Sequence, residues 1–194
     1  MEQKYRLTDE TINHNGRTLY RIEALTDRKN AYVTGSGVQA GDLGGYIERE
    51  ENLQGNAWVD DNAKVYGDAI VTDDAVVSGI AEVYGYALVG GNAKVTSHAR
   101  VYDNACVDDN ALVTDSAQVY DSAHVYGDAK VCGDTRIYGR AQIYDNALID
   151  MYAEVHDDVR VCGRAVVAQR LNVGGNIEID SQDQVKQLPG YVEY

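Results

Sequence analysis

Imidazole side chains are the groups in this sequence best suited to acid–base chemistry near neutral pH. His98, His124 and His156 each supply one, and an imidazole can act as a general base. No basic cluster that would hold a phosphorylated cofactor lies beside them in the sequence. Each histidine is therefore interpreted as structural, and the sequence predicts neither a catalytic residue nor a cofactor.

Cysteines could hold a metal ion or form disulfides, but only at suitable spacings. Cys106, Cys132 and Cys162 form no Cys-x-x-Cys pair and have no histidine at metal-ligand spacing. They are interpreted as free thiols in a reducing cytoplasm. No single loop gathers the oxygen ligands that calcium needs. The sequence thus predicts no metal site.

Aspartates are concentrated between short apolar segments, and nine of them are candidates for contact with a partner: Asp73, Asp74, Asp103, Asp108, Asp109, Asp115, Asp121, Asp157 and Asp158. One interpretation is that they form turns, which favour this residue type. The other is that a rigid rod with regularly spaced carboxylates imitates the phosphate rows of a duplex. Such a rod would occupy a basic nucleic-acid channel in another protein.

The net charge of the 194-residue chain is −14, which argues against nucleic acid as a direct ligand. The charge is uneven. Residues 1–55 carry 7 basic and 9 acidic side chains, whereas the remainder carries 10 and 22. The acidic surface is therefore expected on the repeated part of the chain.

A six-residue phrase, Ala-x-Val-x-x-x, runs from Asn56 to Ile179 without insertion or deletion. The small position recurs at every sixth residue from Ala57 to Ile177, which makes 21 repeats. Two apolar residues separated by one polar residue indicate a short strand with one buried face, and the Gly, Asp, Asn and Ser that follow indicate a corner. Each repeat is predicted to be one strand and one corner.

A second period, three times as long as the first, predicts how the repeats stack. In every third repeat the residue after the valine or isoleucine is tyrosine, in five consecutive cases: Tyr66, Tyr84, Tyr102, Tyr120 and Tyr138. Three strands per coil would place these rings in one ladder, about 4.8 Å apart, on a solenoid of about seven coils. The residue before the small position also recurs in every third repeat, and it is predicted to adopt positive φ at the corners: Asp74, Asn92, Asn110, Asp128 and Asn146.

The repeated phrase resembles that of the hexapeptide-repeat family, with Val59-Asp60-Asp61-Asn62-Ala63 as one instance. The resemblance implies a left-handed parallel β-helix, an all-β triangular solenoid. Many members are trimeric acyltransferases with a histidine at a subunit groove and a loop that helps to bind the acyl donor. Here tyrosine often replaces the family's glycine, no loop is extruded, and no C-terminal helix is predicted. Acyltransferase activity therefore stays as an alternative only.

The two ends of the chain depart from the repeat. Residues 1–43 are predicted to form an N-terminal β-hairpin cap with a turn at Asn15-Gly16, followed by a loop from Thr26 to Gly41. Residues 44–179 are predicted to form the β-helix, and residues 180–194 to be a C-terminal cap or a partner-binding strand. The first segment resembles the leader that precedes such repeats in uncharacterised phage and prophage proteins, and its motifs include Gly41-Asp42-Leu43-Gly44-Gly45-Tyr46-Ile47-Glu48.

Two further surfaces are candidates for binding. The tyrosine ladder is either a solvated wall or a flat aromatic binding surface. Five outward aliphatic residues are candidates for an oligomer or partner interface, or else are scattered surface residues: Ile70, Val76, Leu88, Leu112 and Leu148.

The sequence is best interpreted as a non-enzymatic, acidic binding protein of phage or prophage origin. Its expected partner is a protein, with a basic nucleic-acid-handling or defence protein of the host, such as a CRISPR nuclease, as the leading candidate. No signal region or membrane span is predicted, so a cytoplasmic location is expected. A structural, self-assembling homo-oligomer is the first alternative, and a hexapeptide-repeat acyltransferase is the second.

Overall fold

A computed structural model describes residues 3–27 and 37–192. Residues 28–36 of the loop predicted from Thr26 to Gly41 lie outside the described residues. The described chain is almost entirely β-structure, stacked as a solenoid of about seven coils with three repeats in each, as predicted. It begins with a hairpin of β1 (Tyr5–His14) and β2 (Arg17–Ala24).

Three parallel sheets form the walls of the solenoid. The first wall contains β3 (Leu43–Ile47), β5 (Lys64–Val65), β8 (Glu82–Val83), β11 (Arg100–Val101), β14 (Gln118–Val119), β17 (Arg136–Ile137), β20 (Glu154–Val155) and β23 (Asn172–Val173). The second wall contains β6 (Ile70–Val71), β9 (Leu88–Val89), β12 (Cys106–Val107), β15 (His124–Val125), β18 (Gln142–Ile143), β21 (Arg160–Val161) and β24 (Glu178–Ile179). The third wall contains β4 (Trp58–Val59), β7 (Val76–Val77), β10 (Lys94–Val95), β13 (Leu112–Val113), β16 (Lys130–Val131), β19 (Leu148–Ile149) and β22 (Val166–Val167).

The three-repeat period sets the register of all three walls, so that each strand pairs with its equivalent in the next coil. Lys64 lies beside Glu82, and Val65 beside Val83. Backbone N–H groups of one coil donate to carbonyls of the next, as from Trp58 N to the Ala75 oxygen at 3.0 Å. The small and β-branched positions fill a continuous buried core. The last small position is an exception, because Ile177 is 40 % exposed.

The corners turn at one fixed phase of the repeat. Every sixth residue from Gly55 to Gly175 has positive φ, and Gly and Asp occupy most of these positions. The prediction that Asp74 and its equivalents adopt positive φ is wrong, because the turn occurs one residue earlier, at Asp73. The Asp74 column instead forms side-chain hydrogen bonds between coils, as from Asn92 Nδ2 to Asn110 Oδ1 at 3.2 Å.

The hairpin extends the first wall at its N-terminal end. β2 pairs antiparallel with β3, so the sheet runs continuously from β1 through β3 into the coils. Ile22 and Trp58 are fully buried beside Gly44. A Cβ atom on Gly44 would lie 2.4 Å from the Val59 oxygen and 2.7 Å from the Trp58 ring. Only glycine fits at this position.

A buried asparagine closes the N-terminal end of the second wall. Residues Glu50–Asn52 form a 3-10 turn where the repeat would place a strand. Asn52 is 0 % exposed, and its Nδ2 donates to the carbonyls of Gly67 and Ala69 at 3.0 and 2.8 Å. Leu53 and Gln54 still pair with Val71, and the Asn52 side chain supplies the donors that the turn withholds from Gly67 and Ala69.

The C-terminal end carries a short cap. Residues Gln182–Val185 form a four-residue helix, α1, which was not predicted. Val185 is fully buried on the top of the core. The side-chain oxygens of Gln182 and Gln184 accept from Val166 N at 3.0 Å and from Asp180 N at 2.7 Å. Within residues 3–27 and 37–192, no helix has the length and apolar character needed to span a membrane.

Candidate binding surfaces

The corner aspartates lie on three edges of the solenoid, which we number after the wall that each edge follows along the chain. The first edge carries Asp103, Asp121, Asp157 and Asp158. The second edge carries Asp73, Asp74, Asp108 and Asp109, and the third carries Asp115. The structure therefore does not gather the nine predicted residues into one surface.

Most of the positive-φ aspartates bind the coil above them. In seven cases the carboxylate accepts a hydrogen bond from the backbone N–H of the glycine at the equivalent corner of the next coil, at 2.8–3.2 Å: Asp61, Asp73, Asp109, Asp115, Asp121, Asp145 and Asp157. Each of these carboxylates stabilises a corner while it remains at the surface. Asp61 and Asp145 were missed by sequence reasoning, although an aspartate followed by a glycine three repeats later is a recognisable signal.

The other predicted carboxylates have different partners. Asp158 forms a two-point ion pair with Arg140, with both N–O distances at 2.7 Å, and this guanidinium holds the pKa of Asp158 below its ordinary value. Asp108 accepts from Asp109 N at 2.8 Å. Asp74 accepts from Asn56 Nδ2 at 3.1 Å. Asp103 has positive φ, but the residue above it is Asp121 rather than glycine.

The tyrosine ladder forms on the first wall. Neighbouring rings from Tyr66 to Tyr138 are nearly parallel, with centroids 4.9–5.1 Å apart. His156 stacks on Tyr138 at 4.9 Å, and His14 meets Tyr66 edge-on at 5.3 Å. Because the ring faces contact one another, the ladder presents ring edges and hydroxyl groups to solvent. It is not a platform on which a flat ligand could stack.

Burial raises the pKa of every tyrosine in the ladder, that of Tyr120 to about 12. The hydroxyl of Tyr66 donates to Glu82 Oε2 at 2.9 Å, and Arg136 pairs with Glu154 at 2.8 Å. The rings are thus neutral hydrogen-bond donors near physiological pH, beside charged residues that are partly paired with one another.

A second, shorter ladder on the second wall was missed by sequence reasoning. Tyr126 and Tyr144 stack at 5.0 Å, and His124 lies against Tyr126 at 4.3 Å. The three-repeat spacing of the two tyrosines was the available signal. A hydrogen bond to Cys162, together with burial, raises the pKa of Tyr144.

The five aliphatic candidates do not form one exposed patch. Ile70 and Leu88 lie on neighbouring strands of the second wall, and Leu88 is 39 % exposed. Leu112 and Leu148 lie half-buried on the third wall, separated by Lys130. Val76 is only 2 % exposed, so the prediction that it contributes to an interface is wrong.

The histidines that could act as bases lie apart. His98 is exposed on the third edge, whereas His124 and His156 are on different walls. Burial lowers the pKa of His124, whose Nε2 is buried and has no hydrogen-bond partner. Burial also lowers the pKa of His156, but hydrogen bonds to Asn172 and Asp157 outweigh it and the net shift is upward.

The thiols of Cys106 and Cys132 are poorly suited to nucleophilic attack, because attack requires the thiolate. Burial and nearby carboxylates raise their pKa values to about 11 and about 12, respectively. Within residues 3–27 and 37–192, no three His, Cys, Asp or Glu side chains are placed to hold a metal ion.

Comparison with known families finds one local similarity. A model described as the YdcK beta solenoid repeat matches residues 63–79. The match spans about one coil, and together with the stacked walls it supports a β-solenoid repeat. Comparison with curated proteins finds no match.

Proposed function

We propose that this chain is a non-enzymatic, acidic β-solenoid that acts by binding a basic, nucleic-acid-handling protein. The observation that carries the proposal is the placement of charge. Most of the excess of 14 negative charges lies on the repeated segment, and rigid corners hold it at regular intervals. A fixed row of one sign attracts an oppositely charged groove and raises the rate of association.

The second edge shows the regularity best. Gly55, Asp73, Gly91, Asp109, Gly127, Asp145 and Gly163 alternate along its positive-φ positions. The aspartates recur every second coil, about 10 Å apart at the spacing between strands. In Asp73, Asp109 and Asp145 the hydrogen bond to the coil above uses Oδ2. These aspartates are farther apart than the phosphates of one DNA strand, which are about 3.4 Å apart. The edge therefore resembles a nucleic acid in carrying a line of negative charge, but it does not match individual phosphates.

The setting that we propose is the cytoplasm of a bacterial host, with the gene carried by a phage or prophage. The support is the resemblance of the leader, including Gly41–Glu48, and of the repeated phrase to hexapeptide-repeat proteins of that origin. Inhibition of a host defence nuclease would fit a rigid acidic rod, because such enzymes bind nucleic acid through basic channels. The left-handed sense of the solenoid also rests on this resemblance.

The test is capture of proteins from bacterial lysate at moderate and high salt, with charge-removing variants. Asn tolerates positive φ and can still accept the backbone hydrogen bond, so Asp→Asn removes charge and preserves the corner. We expect a basic partner that salt releases, and a triple variant of Asp73→Asn, Asp109→Asn and Asp145→Asn should weaken its capture at least tenfold.

A second variant, Asp61→Asn with Asp115→Asn, removes charge from the third edge and is the matched control. It should retain most of the binding if the second edge is the contact surface. Capture that is insensitive to salt and to both variants would contradict the proposal, as would recovery of the protein only as its own oligomer.

A further inference from the structure

Within residues 3–27 and 37–192, the first wall has an open strand edge at the C-terminal end of the solenoid. In this part of the chain β23 is the last strand of its sheet and pairs with β20 alone. In the coil below, the N–H groups of Glu154 in β20 and of His156 just after it donate to the carbonyls of Leu171 and Val173 at 2.8 and 3.0 Å. The residues at the same register in β23 are Asn172 and Gly174, and no coil of the described chain lies above them.

The other two walls are covered by helix α1 at the same end. Helix α1 packs against β22 and β24, and its glutamines accept from Val166 N and Asp180 N. The described part of the chain provides no backbone hydrogen-bond acceptor for the N–H of Asn172 or Gly174. An extended segment could form parallel hydrogen bonds along β23.

An exposed groove leads onto this strand from the third edge. It is lined by Met151, Tyr152, Gln169, Arg170, Gly190 and Val192. Met151, Tyr152 and Val192 are 51–56 % exposed, a high fraction for apolar side chains of this size. Arg170 lies over the Tyr152 ring at 5.4 Å, and Gln169 Nε2 donates to the Val192 oxygen at 2.9 Å, which holds the tail as one side of the groove.

Two corner residues of the groove break the pattern of the other corners. Met151 and Gln169 have φ of 62° and 65°, at positions where the other corners have Gly, Asp or Ser. Such conformations are strained for long side chains. Both exceptions occur on consecutive coils of one edge, within the groove. The strain therefore coincides with the exposed apolar surface.

Negative charge lies at the opposite end of β23. Asp121, Asp157 and Asp158 stand at the corner beside Gly175 and Asn176, and Arg140 pairs with Asp158, so the carboxylates of Asp121 and Asp157 leave the corner negative. A segment that pairs in parallel with β23 would pass the groove first. Each of its residues would lie above one residue of the coil below, so the segment would reach this acidic corner about one repeat later. A basic side chain at that place would complement the carboxylates.

We propose that the groove and β23 together bind an extended segment of a partner protein by strand addition. The segment carries an apolar residue that enters the groove and a Lys or Arg about one repeat length further along. Its backbone pairs in parallel with Asn172 and Gly174. This inference rests on the proposed function for the existence of a protein partner, and it names the kind of segment that the partner supplies.

A second copy of the chain is a poorer occupant, although the first wall has another free edge at β1. The register of β1 against β2 shifts between Leu7 and Thr11, and this bulge carries Asp9 and Glu10. Bulges and charges protect edge strands from pairing. β1 is protected in this way, and β23 is not.

The experiment is selection from a displayed library of random nonapeptides, followed by affinity measurements with synthetic copies of the selected peptides. Asn172→Pro removes the unpaired N–H at a strand edge, where proline is tolerated. Asn172→Ala removes the same side chain but keeps the N–H, and it is the matched control. We expect Asn172→Pro and Tyr152→Ala each to weaken binding at least tenfold, and Asn172→Ala to weaken it less than threefold.

Selected peptides that share the apolar–basic spacing and lose affinity in this way would support the proposal. Three results would overturn it: no enrichment, equal binding to wild type and Asn172→Pro, or concentration-dependent self-association that Asn172→Pro abolishes. The selection needs no natural partner. A failure here would leave the salt-sensitive capture by the second edge intact, and a failure of that capture would leave peptide binding intact.

Discussion

The two ends of the solenoid close the same three walls by different means. At the N-terminal end, the first wall continues into an antiparallel hairpin, and Asn52 and Trp58 are fully buried. At the C-terminal end, a four-residue helix packs against two walls, and no described residue pairs with the outer edge of β23. Each wall must satisfy its own edge, so an end can be closed on two walls and available on the third.

The two caps also differ in the solvent exposure of the polar side chains that close them. Asn52 is sealed from water and supplies hydrogen bonds that water cannot replace. Gln184 is exposed, so water can take over its role. Substitutions should therefore cost more at the N-terminal end than at the C-terminal end.

The largest effect is expected for Gly44→Ala. The added Cβ would lie 2.4 Å from a backbone oxygen and 2.7 Å from two buried side chains, so the backbone must move. We expect a loss of about 3 kcal/mol or more of unfolding free energy, measured by urea denaturation. Gly41→Ala is the control, because it has positive φ but nothing within 4 Å. Equal losses would show that overlap at Gly44 costs no more than an alanine at the positive φ of Gly41.

An intermediate effect is expected for Asn52→Ala. The substitution removes the donor from the buried carbonyl of Ala69 and the part-buried carbonyl of Gly67, and an unsatisfied buried group costs about 1–3 kcal/mol. We expect a loss of about 2–3 kcal/mol, against less than about 1 kcal/mol for Gln184→Ala, both measured by urea denaturation. Similar losses for the two variants would refute the difference between a buried and an exposed cap.

An effect smaller than that of Asn52→Ala is expected for Val185→Ala, which removes two methyl groups from the top of the core. At about 0.8 kcal/mol per buried methylene, the loss should be about 1.5 kcal/mol. Amide hydrogen exchange should accelerate at Asp180, whose N–H is held by the cap. Unchanged protection at Asp180 would show that α1 does not depend on Val185.

Most of the fold was predictable from two periods. The six-residue repeat predicted the strands β4 to β24, and the three-repeat period predicted their pairing into three walls and the stacking of Tyr66 on Tyr84. Both are local consequences of side-chain alternation and uniform coil length. The sequence predicted positive φ at Asp74, whereas the structure has it at Asp73. Asp and Asn occupy adjacent positions there, and composition does not identify which one turns.

The candidate surfaces were less predictable. The six-residue repeat places Val76 on the outer face of its wall, yet its side chain is buried. Leu88, at the equivalent position of the second wall, is exposed. Corner aspartates that seem free in the sequence bind glycine amides one coil above, as Asp109 does with Gly127. What a residue contacts above and below depends on which coil it lies in and on what covers that wall.

The strands, the presence of a corner in each repeat and the three-repeat coil follow from the sequence alone, because their spacing repeats without interruption and each requires only local chemistry. The tertiary structure decided how the ends close, since the repeat stops there and single residues such as Asn52 and Val185 satisfy carbonyls or cover the core. It also decided that no strand of the described residues pairs with the outer edge of β23. An unpaired strand edge is defined by the absence of a neighbour, and only the assembled walls reveal which neighbour is missing.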